Sequence, residues 1–140
     1  MKTEQVLSIE QMQHLQELGL DTSDASMHWQ FLPTADSIIN GTDEVEKEPS
    51  LFVSQPNMEH EYPTYTLQDI IQKLPLSIKP ISDAGTFYLN LYYYDLSWVA
   101  DYLNNEGDGS YFAISSDSIM SAAYQMLCWV IENGYLETNK

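Results

Sequence analysis

The residues of this chain that could do chemistry are few and scattered. Asn104-Asn105-Glu106-Gly107-Asp108-Gly109 sets oxygen-bearing side chains at alternate positions ahead of a glycine, the way a calcium loop offers oxygens to a hard cation. Its twelfth position is Ser115, where that geometry needs a bidentate glutamate, so a turn is the better reading. Glu59-His60-Glu61 places two carboxylates around an imidazole, but without the helical HExxH spacing that puts a second histidine on the same zinc. His14 and His28 fall in other segments. Cys128 lies inside an apolar run with no neighbouring base, and reads as a small core residue instead of a nucleophile. No serine sits in a G-x-S-x-G elbow, and no glycine-rich phosphate loop is present. The expectation is therefore a non-enzymatic chain with no catalytic, cofactor-binding or metal-ligating residues.

Two groups of residues suit recognition better than catalysis. Tyr88, Tyr92 and Tyr94 share one face if residues 86–94 form a strand, and tyrosine combines a large contact area with a polar tip. Asp43, Glu44, Glu46 and Glu48 make the densest acidic run. Together they form a candidate protein-binding surface, an aromatic sheet face rimmed by acid.

Charge narrows the partner. Twenty-one acidic residues face five lysines, with no arginine, for a net charge of −16. Direct nucleic-acid binding relies on cations neutralising phosphates and is not expected. Phosphate-bearing substrates lose their usual bidentate clamp for the same reason. The charge suits solubility, a basic protein partner, or mimicry of a nucleic acid that inhibits a DNA- or RNA-binding protein. No apolar stretch is long enough to span a bilayer and no secretory signal opens the chain, so a cytoplasmic protein away from membranes is expected. A lone cysteine fits a reducing compartment.

The elements that would position these residues can be read from caps and periodicity. The firmest is the closing helix within residues 116–140. There Ile119, Ala122, Ala123, Met126 and Val130 form an apolar stripe, Met120, Leu127, Cys128 and Ile131 widen it, Ser115 or Asp117 can cap it, and Gly134 ends it. Residues 8–18 predict a first helix, with Ser8 and Gln11 as a capping box and Gly19 as its stop. Residues 66–75 predict another, capped by Thr66 with Asp69 at N3 and closed by Pro75. Alternation predicts strands over 27–32 and 51–53, joined by a long acidic loop around 33–50 that is expected to be mobile. Residues 86–94 are the clearest strand. Residues 96–104 fit either a helix or a strand, and Trp98, Val99 and Tyr102 favour a strand folded back through Asp95. Tyr111 to Ile114 reads as a lead into the last helix.

The opening MKTEQVLSIEQMQHLQELGLDTSDASM, together with YTLQDIIQKLP and the closing SAAYQMLCWVIENGYLETNK, resembles small, uncharacterised proteins of gut Bacteroidales and their prophages or other mobile elements. These stretches cover about two fifths of the chain. The resemblance implies a cytosolic origin and a phage or mobile-element setting, and it carries no activity and no site residues.

The expected fold is a single α+β domain over 1–140, ordered helix, hairpin, helix, hairpin, helix. About four antiparallel strands would be covered on one face by the first and last helices. The expected function is that of an intracellular accessory protein acting by protein–protein contact. Nucleic-acid mimicry and small-molecule binding are the alternatives, and homodimerisation through a strand edge stays open.

Overall fold

Ser8 starts the first helix for the reason its spacing suggests. In the computed structural model, which describes residues 5–55, 57–81 and 85–136, its hydroxyl accepts from the Gln11 N–H at 3.1 Å. The Gln11 side chain in turn accepts from the Ser8 N–H at 2.9 Å. This capping box opens α1 (Ile9–Glu17), whose Met12 and Leu15 are buried. The strand β1 (Met27–Gln30) follows, then a short helix α2 (Ala35–Asn40), then β2 (Ser50–Val53) and β3 (Tyr62–Thr64). The next helix, α3 (Leu67–Lys73), is capped by Thr66 and Asp69 as expected. After the two-residue β4 (Ser77–Ile78) come β5 (Phe87–Tyr94), β6 (Ser97–Asn104), β7 (Ser110–Ser116) and the closing helix α4 (Ile119–Glu132).

The α+β class holds, but the helix–hairpin–helix–hairpin–helix order does not. The strands form two antiparallel sheets, ordered β2-β1-β3 and β4-β5-β6-β7. Both hairpins lie within them: β1 pairs with β2, and residues 97–104 are indeed a strand paired along its whole length with β5. The additional strands are β3, β4 and β7. β3 and β4 are too short to display alternation, and Pro63 sits on an edge strand, where no ladder bond from its nitrogen is needed. β7 runs on through Ser115 and Ser116, two polar residues that masked it as a strand. Because β7 occupies those positions, the cap of α4 moves to Ser118, whose hydroxyl accepts from the Ser121 N–H at 3.0 Å.

The first and last helices do not share one sheet face. α1 lies against β3, whereas α4 packs on β6 and β7 and beside α3. A continuous core nevertheless joins the two halves, running from Leu7, Met12 and Leu15 through Tyr65 and Ile70 to Ala100, Tyr102 and the buried side of α4. Met126, Leu127 and Val130 are fully buried, a contribution of roughly 1.5–3 kcal/mol each. Trp129 stacks on Phe112 with centroids 4.2 Å apart and rings 6° from parallel, fastening α4 to β7. Gly134 (φ +78°) takes the left-handed position, and the Tyr135 N–H returns to the Val130 carbonyl at 2.9 Å.

Polar bonds hold the first sheet to this core. The Leu7 carbonyl accepts from Trp29 Nε1 at 3.0 Å and from the Thr64 hydroxyl at 2.6 Å. One oxygen of Asp69 accepts from the Thr66 N–H and from both the N–H and the hydroxyl of Ser26, tying the start of β1 to the cap of α3. Residues 33–50, expected as an acidic loop, carry α2. Thr34 caps it and Gly41 (φ +69°) ends it, and the segment closes through a Pro33–Val45 bridge.

Candidate protein-binding face

Antiparallel pairing gives the four-stranded sheet two different faces. Phe87, Leu89, Ala100 and Tyr102 point to the side that α4 covers and belong to the core or pack against it. The alternate residues of β5, which are Tyr88, Asn90, Tyr92 and Tyr94, point the other way, as the strand period requires. Opposite them on β6 stand Leu103, Asp101, Val99 and Ser97 in that order. The three predicted tyrosines therefore do share a face, and all are exposed, Tyr94 by 71%.

At the centre of this face is Asp101, only 3% exposed and directly across from Asn90. One of its carboxylate oxygens accepts from the Tyr92 hydroxyl at 2.9 Å, and among the described residues no side-chain or backbone donor reaches the other. The bond to Asp101 holds the Tyr92 phenol above its ordinary range. Asp101 was not among the residues singled out by sequence. The available signal was an acid placed mid-strand in an otherwise apolar and aromatic run.

The hairpin joining β5 to β6 extends the face into an apolar tip. Asp95 (φ +51°) and Leu96 (φ +64°) form a two-residue connection with positive φ at both positions, as a type I′ turn demands. Leucine is poorly suited there, since its Cβ crowds the following carbonyl at a cost of roughly 1–2 kcal/mol. Its side chain is 84% exposed and joins Tyr93 and Tyr94, which are exposed on opposite faces of the strand.

The other predicted residues lie elsewhere. Asp43, Glu44, Glu46 and Glu48 are all exposed, but they belong to the connection between β1 and β2 in the three-stranded sheet. The Glu44 carbonyl accepts from the Thr34 N–H and the Glu46 N–H donates to the Leu32 carbonyl, pinning the run beside Pro33. The aromatic and acidic halves of the expected surface thus sit on different sheets. The 104–109 segment is the turn between β6 and β7. Its Asn104 side chain accepts from the Asp108 and Gly109 N–H groups and donates to the Asp108 carboxylate, so these two side chains are engaged with each other and with the turn's own backbone. Cys128 is buried, and burial pushes its thiol up, away from the reactive thiolate.

Folding does bring two histidines together. His28 and His60 stack with ring centroids 3.7 Å apart and 9° from parallel, and Phe52 covers His28 further out at 5.8 Å. His28 Nδ1 bonds the Ser54 hydroxyl at 3.1 Å. Desolvation first, and then the neighbouring His60, hold the His28 imidazole below its ordinary pKa. Face-to-face rings present their nitrogens side by side instead of converging on a point. Among the described residues no group of three or more His, Cys, Asp or Glu is gathered in a way that could hold a metal ion.

Compared with known protein families, with curated proteins and with solved structures, the chain finds no significant match in any of the three.

Proposed function

We propose that this chain is a non-enzymatic accessory protein that docks another protein on the outer face of its four-stranded sheet. The observation that carries the reading is the row of exposed Tyr88, Tyr92 and Tyr94 on a face that α4 leaves uncovered, continued by Leu96 at the hairpin tip. Aromatic residues with polar tips are the side chains that dominate protein interfaces. Burial holds Cys128 as a thiol and so away from the thiolate a nucleophile needs, which favours binding over catalysis. Among the described residues no helix is long and apolar enough to cross a membrane.

Affinity capture from lysate of the native cell tests this reading. Partners held by the wild-type chain are expected to be lost with Tyr92→Ala/Tyr94→Ala and kept with Glu44→Gln/Glu46→Gln/Glu48→Gln. An unchanged set of partners on the tyrosine variant refutes the docking face. The reverse pattern, loss on the glutamine variant alone, points to nucleic-acid mimicry through the exposed acidic run.

A further inference from the structure

Asp101 weakens the fold where it stands. β6 is paired on both sides, by β5 and β7, so the middle of the strand has no open edge. Its neighbours Ala100 and Tyr102 are fully buried toward α4, which leaves Asp101 pointing to the outer face. Oδ2 takes the Tyr92 hydroxyl; Oδ1 is buried and receives no donor from the described residues. The amide of Asn90, directly opposite, could have supplied one, but it donates to the Tyr88 carbonyl at 3.3 Å. The chain has no arginine, and among the described residues the ion pair formed is Lys73 with Asp24. A desolvated carboxylate with unused acceptor capacity is unfavourable to folding. On an uncovered face, it marks a site kept for a group from outside the chain.

We infer that Asp101 anchors a cation subsite on this face, and that the occupant is an arginine side chain of a basic protein partner. The inference rests on the docking reading above and adds its chemistry. Asn90 faces Asp101 across the ladder, so Tyr88 and Tyr92 are its two diagonal neighbours, within reach of a group seated on the carboxylate. A guanidinium placed there pairs with the carboxylate through two parallel N–H donors and lies against the Tyr88 ring. Tyr92 is exposed enough to swing aside as the cation enters, releasing Oδ2 and freeing its own hydroxyl for the partner's backbone. An ammonium satisfies only the charge, whereas the planar, weakly hydrated guanidinium also satisfies the stack. A second copy of the chain is a poor occupant, since it brings another −16 charge and no arginine. The same charge speeds the approach of a basic partner.

The test is a random library of displayed 12-residue peptides selected on the immobilised full-length chain and counter-selected on Tyr92→Ala/Tyr94→Ala. Enriched peptides are expected to share an arginine at one position. Replacing that arginine by citrulline, which keeps the shape and removes the charge, should weaken binding to the wild type by roughly tenfold or more. Asp101→Asn should weaken the arginine peptide equally and be indifferent to the citrulline peptide. Enrichment without a fixed arginine, or affinity for Asp101→Asn within twofold of wild type, overturns the subsite and leaves the docking face standing. Failure to find any peptide that separates wild type from the tyrosine variant overturns both. Urea midpoints establish that each variant is folded. Should Asp101→Asn not fold, the citrulline substitution on the wild-type chain decides alone.

Discussion

Tyr92→Phe removes one oxygen and leaves the ring in place, so it isolates the contact between Tyr92 and Asp101. The hydroxyl lies 2.9 Å from Asp101 Oδ2, and Oδ1 receives no donor from the described protein groups. The substitution therefore strips a carboxylate that is 3% exposed of its hydrogen-bond donor. A hydrogen bond to a charged group contributes roughly 1.5–3 kcal/mol net. Tyr92 is itself 40% exposed, so solvent recovers part of this, and the expected loss is about 1–2 kcal/mol. For a chain of 140 residues, that lowers Tm by roughly 2–8 °C. Asp101→Asn should restore most of the loss in the double variant, because the stranded group is then neutral and the coupling between the two sites is lost. Urea denaturation followed by tryptophan fluorescence measures all four corners of the cycle, with the m-value checked for constancy. A Tyr92→Phe cost below about 0.3 kcal/mol, or full additivity of the two substitutions, would refute the claim that Asp101 is desolvated and depends on Tyr92. The bond also sets an alkaline limit. Because it raises the folded-state phenol above its reference value of 10.0, its stabilisation is present below that pH and is lost as pH rises through the raised value.

Three further outcomes are expected. His28 has a folded pKa below its reference of 6.5, so the native state holds fewer protons than the unfolded chain. Stability should thus fall as pH drops through 6.5 toward the lowered value, and urea midpoints between about pH 7.5 and 5.5 should show a shallower slope in His28→Phe. Asp69→Ala loses the cap of α3 and the acceptor for Ser26 at the start of β1; the expected cost is about 2 kcal/mol by chemical denaturation, with Asp69→Asn recovering part of it. Leu96→Gly relieves a leucine held at φ +64° and should raise the urea midpoint by the equivalent of about 1 kcal/mol, a gain that Leu96→Ala cannot reproduce.

Much of the fold was legible because its helices announce their ends. Ser8 with Gln11 and Thr66 with Asp69 are reciprocal caps visible in four letters of sequence, and Gly134 stops α4 as its position implies. β5 was legible from alternation; β6 matched a helical period as well, and only its Trp98, Val99 and Tyr102 and the bend at Asp95 favoured the strand. β3 and β4 were not, since three and two residues cannot show a period and their pairing depends on partners far along the chain. α2 escaped because its six residues are too few to establish a helical period. The tyrosine row could be placed on one face from spacing alone. Asp101 could not be joined to it, because that required the register pairing Asn90 with Asp101. The same limit hid the contact between His28 and His60, which exists only once β1 and β3 lie side by side.

The two sheets also differ in how far apart their partners lie in sequence, and this sets an order of assembly. From Phe87 to Glu132, strands β5, β6 and β7 meet through short turns and α4 follows directly, so sequence neighbours are spatial neighbours. The three-stranded sheet is built around β1, which must wait for the chain to return from Ser50 and again from Tyr62. Closing long loops delays the contacts they bring, so the C-terminal meander and its helix should be the nucleus of folding. The first sheet then zips on late, as Trp29 and Thr64 converge on the Leu7 carbonyl. φ-value analysis reads this order directly, with high values at Leu127 in α4 and low ones at Met27 in β1. The tyrosine-bearing face is thereby complete before the half of the chain that carries the acidic run has settled.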